Sequence, residues 1–339
     1  MKAAVVGATG MVGRDLLDLL ERRKFPLAAL SLFASPRSAG KKLRFHGKML
    51  GVSAANSKTL RGFDLVFFAT EKDVPLKLAP ELIRSGAWVI DDSSAFRMDP
   101  RVPLVVPEVN GHVLSPRTRL IAGPNCIAVP LVMAVHPIAR RFGLAHVRAS
   151  TYQSISGAGK RAMDEFVLQA RAWLRNQKPP RPKKLPQTIM LNVFPQCDRF
   201  GEGDYTGEEI KIKKESRKIL GLPALKISAT AVRVPVLIAH SIALWVETKK
   251  TATAAQLRRA LAGADGVQLM DDPGKNIYPM PLTAARRWPV YVGRVRRGEK
   301  PNEFLLWVSA DNLLKGSALN SVQIAEYLLH KGWLASRAR

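Results

Sequence analysis

Short apolar runs alternate with amphipathic segments through the first third of the chain. Strands buried on both faces are typically rich in Val, Ile, Leu and Phe, as these runs are. The runs occupy 3–6, 27–35, 63–70 and 87–90. The intervening segments, one ending near Lys24 and one at 74–85, space their apolar residues as helices do. Strands that alternate with helices predict a parallel sheet covered on both sides, so we expect residues 1–125 to form a doubly wound, Rossmann-type domain.

Beyond residue 125 the pattern changes to longer stretches in which apolar and polar residues alternate. Alternation is typical of strands with one face on the core. The predicted strands lie at 147–154, 227–246, 289–295 and 303–309, and helices at 160–176 and 207–220. We expect residues 126–311 to form a second, α+β domain with a mixed or antiparallel sheet. In the segment 312–339, an amphipathic helix at 319–329 is expected to pack back on the first domain.

The composition is that of a globular protein with an unusual charge. Hydrophobic residues make up 47% of the 339 residues, but 53 Lys and Arg against 27 Asp and Glu give a net charge of +26. Such a charge suits nucleic acid, an anionic membrane surface or small anionic ligands. The segment 120–139 lacks charged side chains, yet its three prolines argue against a membrane span. Two cysteines make no disulfide framework, which indicates the cytoplasm.

A glycine-rich turn follows the first predicted strand and opens the first helix. Gly7, Gly10 and Gly13 have the spacing G-x-x-G-x-x-G, a variant of the dinucleotide-binding pattern. Glycine lets a pyrophosphate approach the free N–H groups of the helix closely. Close packing of the turn is the alternative reason for these glycines. After the second strand stand Arg37 and Ser38 instead of the acid that holds the ribose of NAD, which favours NADP.

Cys126 stands where an apolar strand gives way to an apolar helix, just beyond the first domain. The N-terminus of a helix lowers the pKa of a thiol and favours the nucleophilic thiolate. Nucleotide crevices open at the carboxyl ends of strands, so a thiol placed here would face a bound nicotinamide. The alternative is a cysteine that only fills space, since free cysteine is among the most buried residue types. Cys197 has no comparable context and is interpreted as structural.

Short motifs occur along almost the whole chain, between Lys2 and about Tyr327. In chain order they are GATGMVG at 7–13, RSAG at 37–40, SSAFRMD at 93–99, PEVN at 107–110, PNC at 124–126, YQSISGAG at 152–159, GEEIK at 207–211, RVPVLIAH at 233–240 and DNLLKG at 311–316. With these motifs in this order, the sequence resembles the aspartate-β-semialdehyde dehydrogenase family.

The resemblance implies that NADPH reduces L-β-aspartyl phosphate to aspartate semialdehyde and phosphate, a step that feeds lysine, threonine and methionine synthesis. It also implies a homodimer, built through a catalytic and dimerisation domain at 126–311. The expected partners are therefore small anions and a second copy of the chain, with no membrane and no nucleic acid. No set of metal-ligating residues with usable spacing stands out in the sequence.

The resemblance also assigns roles to residues of this chain. Cys126 matches the acyl-forming cysteine, His240 the general acid/base and Gln153 the glutamine that positions the thioester. The matches to substrate contacts are Arg233 for the α-carboxylate, Glu208 for the ammonium, and Lys211, Arg97 and Asn125 for the phosphate. With the glycines of the first turn, the matches to cofactor contacts are Gly7, Thr9, Gly10, Met11, Val12, Gly13, Arg37, Ser38, Ser156, Gly157 and Asn312.

The residue types suit these roles, although each also has a structural explanation. Histidine titrates near neutral pH, and a guanidinium binds a carboxylate through two hydrogen bonds. His240 could equally be a hydrogen-bonded core histidine, and Gln153 could satisfy backbone groups at a strand end. Glu208 and Lys211 could form an ordinary pair on a helix, and Arg97 could close a turn.

Two features of the sequence do not follow simply from this assignment. Strict alternation along a strand puts Arg233 and His240, seven residues apart, on opposite faces. They can share a site only if Pro235 or a bend interrupts the strand. In addition, Ile127 stands where the family usually has Ser or Thr directly after its cysteine. Isoleucine has no hydroxyl, so this chain lacks any contribution that the Ser or Thr hydroxyl makes at the thiolate or the phosphate.

Two other functions remain as alternatives from the sequence. A related NADP-dependent acyl-phosphate reductase, of the N-acetyl-glutamyl-phosphate type, would share the chemistry but would not need an acid such as Glu208 for a free ammonium. A basic nucleic-acid-binding protein on a dehydrogenase scaffold would use runs such as those at 181–184 and 211–214. No recognised nucleic-acid-reading module accompanies those runs.

Overall fold

The computed structural model describes residues 1–334 and divides the chain into two compact units. One unit consists of Met1–Asn125 together with the chain from Ser317 onward, and the other of Cys126–Gly316. The sequence placed the second boundary after residue 311. In the structure 312–316 belong with the second unit, where backbone N–H groups of this turn donate to the Asp311 carboxylate.

The first unit is built on a seven-stranded sheet. Its strands are β1 (Lys2–Val6), β2 (Ala29–Ala34), β3 (Lys42–Phe45), β4 (Lys48–Ala54), β5 (Leu65–Phe68), β6 (Trp88–Asp91) and β7 (Leu120–Ala122). Their order is β3-β4-β2-β1-β5-β6-β7, and every neighbouring pair is parallel except β3–β4. Strands are added to the sheet on both sides of β1, as in a doubly wound fold. The switch point, where ligands bind in such folds, therefore lies at the carboxyl end of β1. The Rossmann-type fold is confirmed.

The hairpin β3–β4 was absent from the predicted elements. Its residues are mostly half-buried or exposed, so the apolar run that identified the other strands is missing. The turn consists of His46 and Gly47, both with positive φ (46° and 75°). Two such residues match the twist of a tight antiparallel hairpin.

Helices flank this sheet: α1 (Met11–Arg22), α2 (Asp73–Arg84), the short α3 (Pro107–Asn110) and, after the second unit, α9 (Leu319–His330). Leu16 and Leu20 of α1 are buried, as the helical spacing of its leucines predicted. The C-terminal helix α9 contacts α1, α3 and β6. A bidentate ion pair between Arg23 and Glu326, at 2.6 and 2.7 Å, holds α9 beside the end of α1.

The second unit contains a six-stranded mixed sheet. Its strands are β8 (Leu144–Gln153), β9 (Lys226–Arg233), β10 (His240–Thr248), β11 (Val267–Leu269), β12 (Val290–Arg297) and β13 (Glu303–Ala310), in the order β11-β12-β13-β10-β8-β9. The pairs β8–β9 and β11–β12 are parallel and the others antiparallel. The predicted α+β domain with a mixed sheet is confirmed.

The helices of the second unit are α4 (Ala128–Phe142), α5 (Lys160–Leu174), α6 (Gly207–Leu220), α7 (Ala254–Ala262) and the short α8 (Pro281–Ala284). Three of them, α4, α6 and α7, pack together on one face of the sheet. α4 contacts β10, β12 and β13, α6 contacts β9, and α7 contacts β11 and β12. Ile242, Leu244 and Val246 alternate along β10 and are buried, whereas the residues between them are partly exposed. The core of this unit therefore lies between the helices and one face of the sheet.

The single strand predicted at 227–246 is wrong. The chain instead forms β9 and β10, which flank β8 on its two sides. The connection at 234–239 crosses the end of β8, where the N–H groups of Ile155 and Ser156 donate to its carbonyls at 2.8 and 3.0 Å. Pro235 has no N–H for a ladder, and Ala239 has φ +76°, so regular strand geometry ends here.

The long uncharged segment at 120–139 is divided between β7, a turn and α4. Across residues 1–334, no helix has the length and apolar character needed to cross a membrane.

Candidate active site

A cavity of about 610 Å³ opens at the carboxyl ends of β1 and β2 in the first unit. Gly7, Thr9, Gly10 and Val12, from the turn that begins α1, form part of its wall. A Cβ on Gly7 would lie 2.2 Å from the carbonyl oxygen that follows β5, and φ is +91°, so only glycine fits. A Cβ on Gly13 would lie 2.2 Å from the Gly7 carbonyl oxygen. These two glycines therefore allow the turn to pack closely against its neighbours.

Arg37 and Ser38 lie in a short turn, Pro36–Ser38, that directly follows β2. Ser35 and Pro36 line the same cavity, so Arg37 is adjacent in the chain to its wall, and its side chain is exposed. Met11 is the first residue of α1 and is half-buried. The cofactor candidates of the first unit thus gather around one cavity.

Cys126 and His240 face each other in the second unit, with 3.4 Å between Sγ and Nε2. Cys126 lies two residues before α4 and His240 begins β10. His240 is almost fully buried, while Cys126 is partly exposed. A Cβ on Gly316 would come within 2.8 Å of the Cys126 carbonyl oxygen, so the backbone after β13 packs closely behind the thiol.

The imidazole of His240 is held from its other side by β8. Nδ1 accepts a hydrogen bond from the Ser154 N–H at 3.0 Å and lies 2.9 Å from the Ser154 hydroxyl. Burial, and then the positive charge of Arg233, lowers the pKa of His240 well below its usual range. The ring is therefore neutral at physiological pH, and a neutral ring can accept or donate a proton at Nε2.

Arg233 and Gln153 end neighbouring parallel strands and are paired across β8 and β9. Both are buried, and Nη1 of Arg233 donates to the Ser154 carbonyl at 2.6 Å. A Cβ on Gly157 would lie 3.0 Å from both Arg233 Nη1 and His240 Nε2. The break at 234–239 therefore places Arg233 and His240 beside one another, as the sequence required for a shared site.

Ser156 and Asn312, the remaining cofactor candidates with Gly157, are also buried in the second unit. The Ser156 hydroxyl donates to Asn312 Oδ1 at 3.0 Å. The N–H of Ala239 donates to the same oxygen at 3.1 Å. The hydrogen bond between Ser156 and Asn312 thus links the turn after β8 to the turn after β13, next to His240.

Glu208 and Lys211 lie one turn apart at the start of α6, with 3.5 Å between Oε2 and Nζ. Lys211 also donates to Asp198 at 2.7 Å, a carboxylate that the sequence analysis did not select. Burial raises the pKa of Asp198, but hydrogen bonds from Lys211 and the Arg199 N–H outweigh it and lower that pKa overall. An acid directly after Cys197, close in sequence to Lys211, was the available signal.

Arg97 and Asn125, the other two phosphate-site candidates, belong to the first unit and are both buried. The Arg97 guanidinium donates to the carbonyls of Gly123 and Asp92 at 2.9 and 2.8 Å. It thereby fixes the segment that leads from β7 to Asn125.

Asp92 is a second residue that sequence reasoning missed. It lines the cavity of the first unit and accepts hydrogen bonds from the hydroxyls of Ser317 and Ser321. Burial raises the pKa of Asp92, against the lowering effect of the Ser317 hydroxyl and Arg97. Two consecutive acids at the end of a buried strand were the signal in the sequence.

Cys197 is buried, and burial raises the pKa of its thiol to about 12, so it is poorly suited to act as a nucleophile. In the part of the chain that the structure describes, no group of three His, Cys, Asp or Glu side chains is placed to hold a metal ion.

Two family models together match most of the chain. The model described as semialdehyde dehydrogenase, NAD binding domain, matches residues 2–116. The model described as semialdehyde dehydrogenase, dimerisation domain, matches residues 135–315. Both domains of this oxidoreductase family are thus present, in the positions of the two units.

Individual relatives and solved structures agree with the family models. The chain is 43% identical to aspartate-semialdehyde dehydrogenase of Bacillus subtilis over 97% of each chain, and 43% identical to that of Aquifex aeolicus over 98% of each. Its fold matches the crystal structure of aspartate semialdehyde dehydrogenase II from Vibrio cholerae with a TM-score of 0.92, at 38% identity, covering 97% of this chain and 98% of that one. The chain belongs to the aspartate-semialdehyde dehydrogenase family.

Proposed function

We propose that this chain uses NADPH to reduce L-β-aspartyl phosphate to L-aspartate 4-semialdehyde, releasing phosphate, in the synthesis of lysine, threonine and methionine. The observation that carries the proposal is the 3.4 Å contact between Cys126 Sγ and His240 Nε2, next to a buried arginine. A thiol, a neutral imidazole and a carboxylate-binding cation are the groups that acyl transfer from such a substrate needs. A structural neighbour from Vibrio cholerae, 37% identical, is described as complexed with ASA.

Cys126 carries the covalent part of the reaction. Its sulfur attacks the β-carbonyl carbon, a C–S bond forms, and the C–O bond to phosphate breaks. Hydride then converts the thioester into a thiohemiacetal. When the C–S bond breaks again, the semialdehyde leaves and the sulfur returns as thiolate. Two steps through a thioester are each easier than direct reduction of the acyl phosphate.

His240 handles the protons of this cycle at Nε2. A neutral ring accepts the proton of the Cys126 thiol as the sulfur attacks. The same nitrogen gives a proton to the oxygen of the thiohemiacetal and takes it back as that intermediate collapses. Burial keeps the ring neutral before each turnover, because it lowers the pKa of His240.

The cavity of the first unit fits a dinucleotide, and we infer that NADPH is preferred. Gly7, Thr9, Gly10 and Val12 line the cavity, and the N-terminus of α1 offers N–H groups to a pyrophosphate. Arg37 and Ser38, beside the cavity, suit a 2′-phosphate. When bound, the nicotinamide supplies the hydride.

The substrate roles follow from charge and position. Arg233, buried beside His240, binds the α-carboxylate, and Gln153 at the paired strand end positions the thioester. Glu208 meets the ammonium group, and Lys211, one turn along α6, meets the phosphate together with Arg97 and Asn125. Lys211 also donates a hydrogen bond to Asp198 at 2.7 Å.

The enzyme is proposed to act as a homodimer through the face of the β8–β13 sheet opposite α4, α6 and α7. Ala243, Trp245, Leu305 and Trp307 from this face line a cavity of about 550 Å³. The rings of Trp307 and Tyr152 lie 5.2 Å apart on it. A contiguous aromatic and apolar face of this kind favours a protein interface.

We also place the enzyme in the cytoplasm. A catalytic thiol has to stay reduced, and the cytosol keeps thiols reduced.

The proposal is tested by following NADP⁺ reduction with aspartate semialdehyde, with and without phosphate. We expect phosphate-dependent reduction by the native protein and none by Cys126→Ala. N-Acetylglutamate semialdehyde serves as the competing substrate and should be turned over far more slowly, since it has no free ammonium for Glu208. Equal rates in the native protein and the variant, or a preference for the acetylated substrate, would contradict the proposal.

A further inference from the structure

The positive charge of the first unit is concentrated at one edge of its sheet. Between Glu21 and Asp64 the chain has no Asp or Glu, although the whole chain has 27 in 339 residues. This stretch contains β2, β3 and β4, which lie together at the β3 edge of the sheet. We call its exposed cations from 37 to 58 the cationic edge: Arg37, Lys41, Lys42, Arg44, Lys48 and Lys58.

The cationic edge adjoins the cavity of the first unit. Pro36, after β2, and Ala55, after β4, both line that cavity. Arg37 follows Pro36 in the same short turn. Lys58 lies in the turn after Ala55, where its N–H donates to the Asn56 side chain at 2.9 Å. Two exposed cations therefore stand within a few residues of the cavity wall.

Lys42 extends the same positive region along the edge. It is paired with Gly51 across β3 and β4, four residues before Ala55. A strand rises about 3.3 Å per residue, so the Lys42 backbone is about 13 Å along the strand from the wall. The Debye length is about 10 Å at 0.1 M ionic strength and longer in more dilute salt. Charges at this distance thus act on an anion that approaches the cavity.

The cavity itself is polarised from one side of β1 to the other. Its acidic wall residues, Glu71 and Asp92, follow β5 and β6, on the side of β1 away from β2 and β4. The cations stand at the β2 and β4 side. NADPH is polarised in the same sense, because its 2′-phosphate is at the adenosine end and the reduced nicotinamide has no negative charge.

We propose that the cationic edge steers NADPH into the cavity with its adenosine end towards β2 and β4, and so sets the rate at which the cofactor binds. Charges of one sign around a cleft raise the association rate of an oppositely charged ligand by about 10- to 1,000-fold. Lys42 and Lys58 act here through their field before contact, unlike Arg37, which is assigned to the 2′-phosphate. This inference rests on the cofactor preference of the proposed function.

The association of NADPH is measured by stopped-flow fluorescence in the native protein and in the double variant Lys42→Glu/Lys58→Glu. At about 0.01 M ionic strength, where the Debye length is about 30 Å, we expect the association rate constant of the variant to be about tenfold lower. At about 1 M, where the Debye length is about 3 Å, the two proteins should have equal association rate constants. The dissociation rate constant should stay the same, because charges at the rim act on association.

The matched control is Arg84→Glu/Arg117→Glu, which changes the net charge by the same amount. Both side chains are exposed and lie just before β6 and β7, at the amino ends of these strands, whereas the cavity opens at carboxyl ends. This control should keep the association rate constant within about twofold of the native value. NADH lacks the 2′-phosphate, so Lys42→Glu/Lys58→Glu should slow its association less than that of NADPH. Unchanged kcat at saturating NADPH shows that each variant is folded.

Equal association rate constants in the native protein and Lys42→Glu/Lys58→Glu at low ionic strength would overturn the steering. Equal slowing in the two double variants would also overturn it, because net charge and not the cationic edge would then set the rate. Either result leaves the proposed reaction standing as long as NADPH is still oxidised. Failure of the native protein to bind NADPH would contradict the proposed function, and this inference with it.

Discussion

Single side chains at Cys126 and His240 do the chemistry proposed here, and the surroundings of His240 set its protonation. Burial, and then the positive charge of Arg233, lowers the pKa of His240 and so keeps the imidazole neutral. The same reasoning applies in the first unit, where burial rather than a neighbouring charge dominates the carboxyls that end β6.

Asp91 gives a stability prediction with a defined sign. Burial is the largest effect on its pKa, which rises from 3.8 to about 6, although Ser93 opposes this with two hydrogen bonds. The folded state therefore binds more protons than the unfolded state between these pH values, so this group loses stabilising effect as the pH rises from about 4 to 6. Asparagine does not ionise, so Asp91→Asn does not lose stability through this group as the pH rises.

The measurement is the free energy of unfolding of the native protein and Asp91→Asn at pH 4.5 and 7.5. The variant should gain about 2 kcal/mol relative to the native protein on going from pH 4.5 to pH 7.5, since part of the full effect of a two-unit shift, about 3 kcal/mol, is already present at pH 4.5. If the free energies of unfolding of the two proteins differ by the same amount at both pH values, ionisation of Asp91 does not destabilise the folded state.

Arg37 tests the cofactor preference. Arg37→Ala should raise KM for NADPH roughly tenfold, since a hydrogen bond to a charged group contributes about 1.5–3 kcal/mol, and should leave KM for NADH unchanged. Lys41→Ala removes another exposed cation from the same stretch and serves as the control. If the two variants behave alike, the effect is one of general charge and Arg37 does not contact the 2′-phosphate.

Secondary-structure elements place these side chains, above all the three strand ends at β8, β9 and β10. Gln153 and Arg233 end parallel neighbours, and His240 begins the antiparallel strand on the other side of β8. The turn that follows β8 then passes between them, and Gly157 in this turn leaves the space in front of the imidazole.

Gly157→Ala should reduce activity without unfolding the protein. The added Cβ would lie 3.0 Å from Arg233 Nη1 and from His240 Nε2, inside the space for substrate. We expect kcat/KM to fall at least about tenfold, because small misplacements of reacting groups are costly, and the melting temperature to change little. Gly51→Ala, whose Cβ would meet no atom within 4 Å, is the control. Equal kcat/KM in both variants would contradict the geometry of the site.

What the sequence could predict at this scale depended on local signals. The helix predicted at 207–220 has the observed ends. In the structure Thr206 and Glu209 form a capping box at its start, and Gly221, with φ +65°, ends it. The break at 234–239 could not be located, because Val, Leu and Ile on both sides of Pro235 continue the apolar pattern. The contacts of Asp198 and Ser154 were also out of reach, since their partners lie far away in sequence.

For the whole molecule, the division into two units and the ordered motifs were accessible from the sequence, whereas the net charge of +26 was not informative. A strong positive charge attracts small anions such as acyl phosphates, as well as nucleic acid. In the proposed reaction Lys211 and Arg97 bind phosphate, and Arg37 binds the 2′-phosphate of the cofactor.

The proposed homodimer is tested by Ala243→Arg, on the sheet face opposite α4, α6 and α7, where Ala243 lines the same cavity as Arg294 and Arg296. A buried, unpaired charge near two others should dissociate the dimer, which light scattering coupled to size exclusion would report as a halved mass. Met49→Arg, at an exposed apolar residue of β4, should leave the mass unchanged. An unchanged dimer in Ala243→Arg would place the interface elsewhere.

The most direct test of the covalent chemistry is the intact mass of the enzyme after incubation with aspartate semialdehyde and NADP⁺ in the absence of phosphate. Without phosphate to release it, one aspartyl group should accumulate on Cys126, and added phosphate should remove it. Absence of any adduct under these conditions, while NADPH still forms with Cys126→Ala, would contradict a reaction that passes through the thioester.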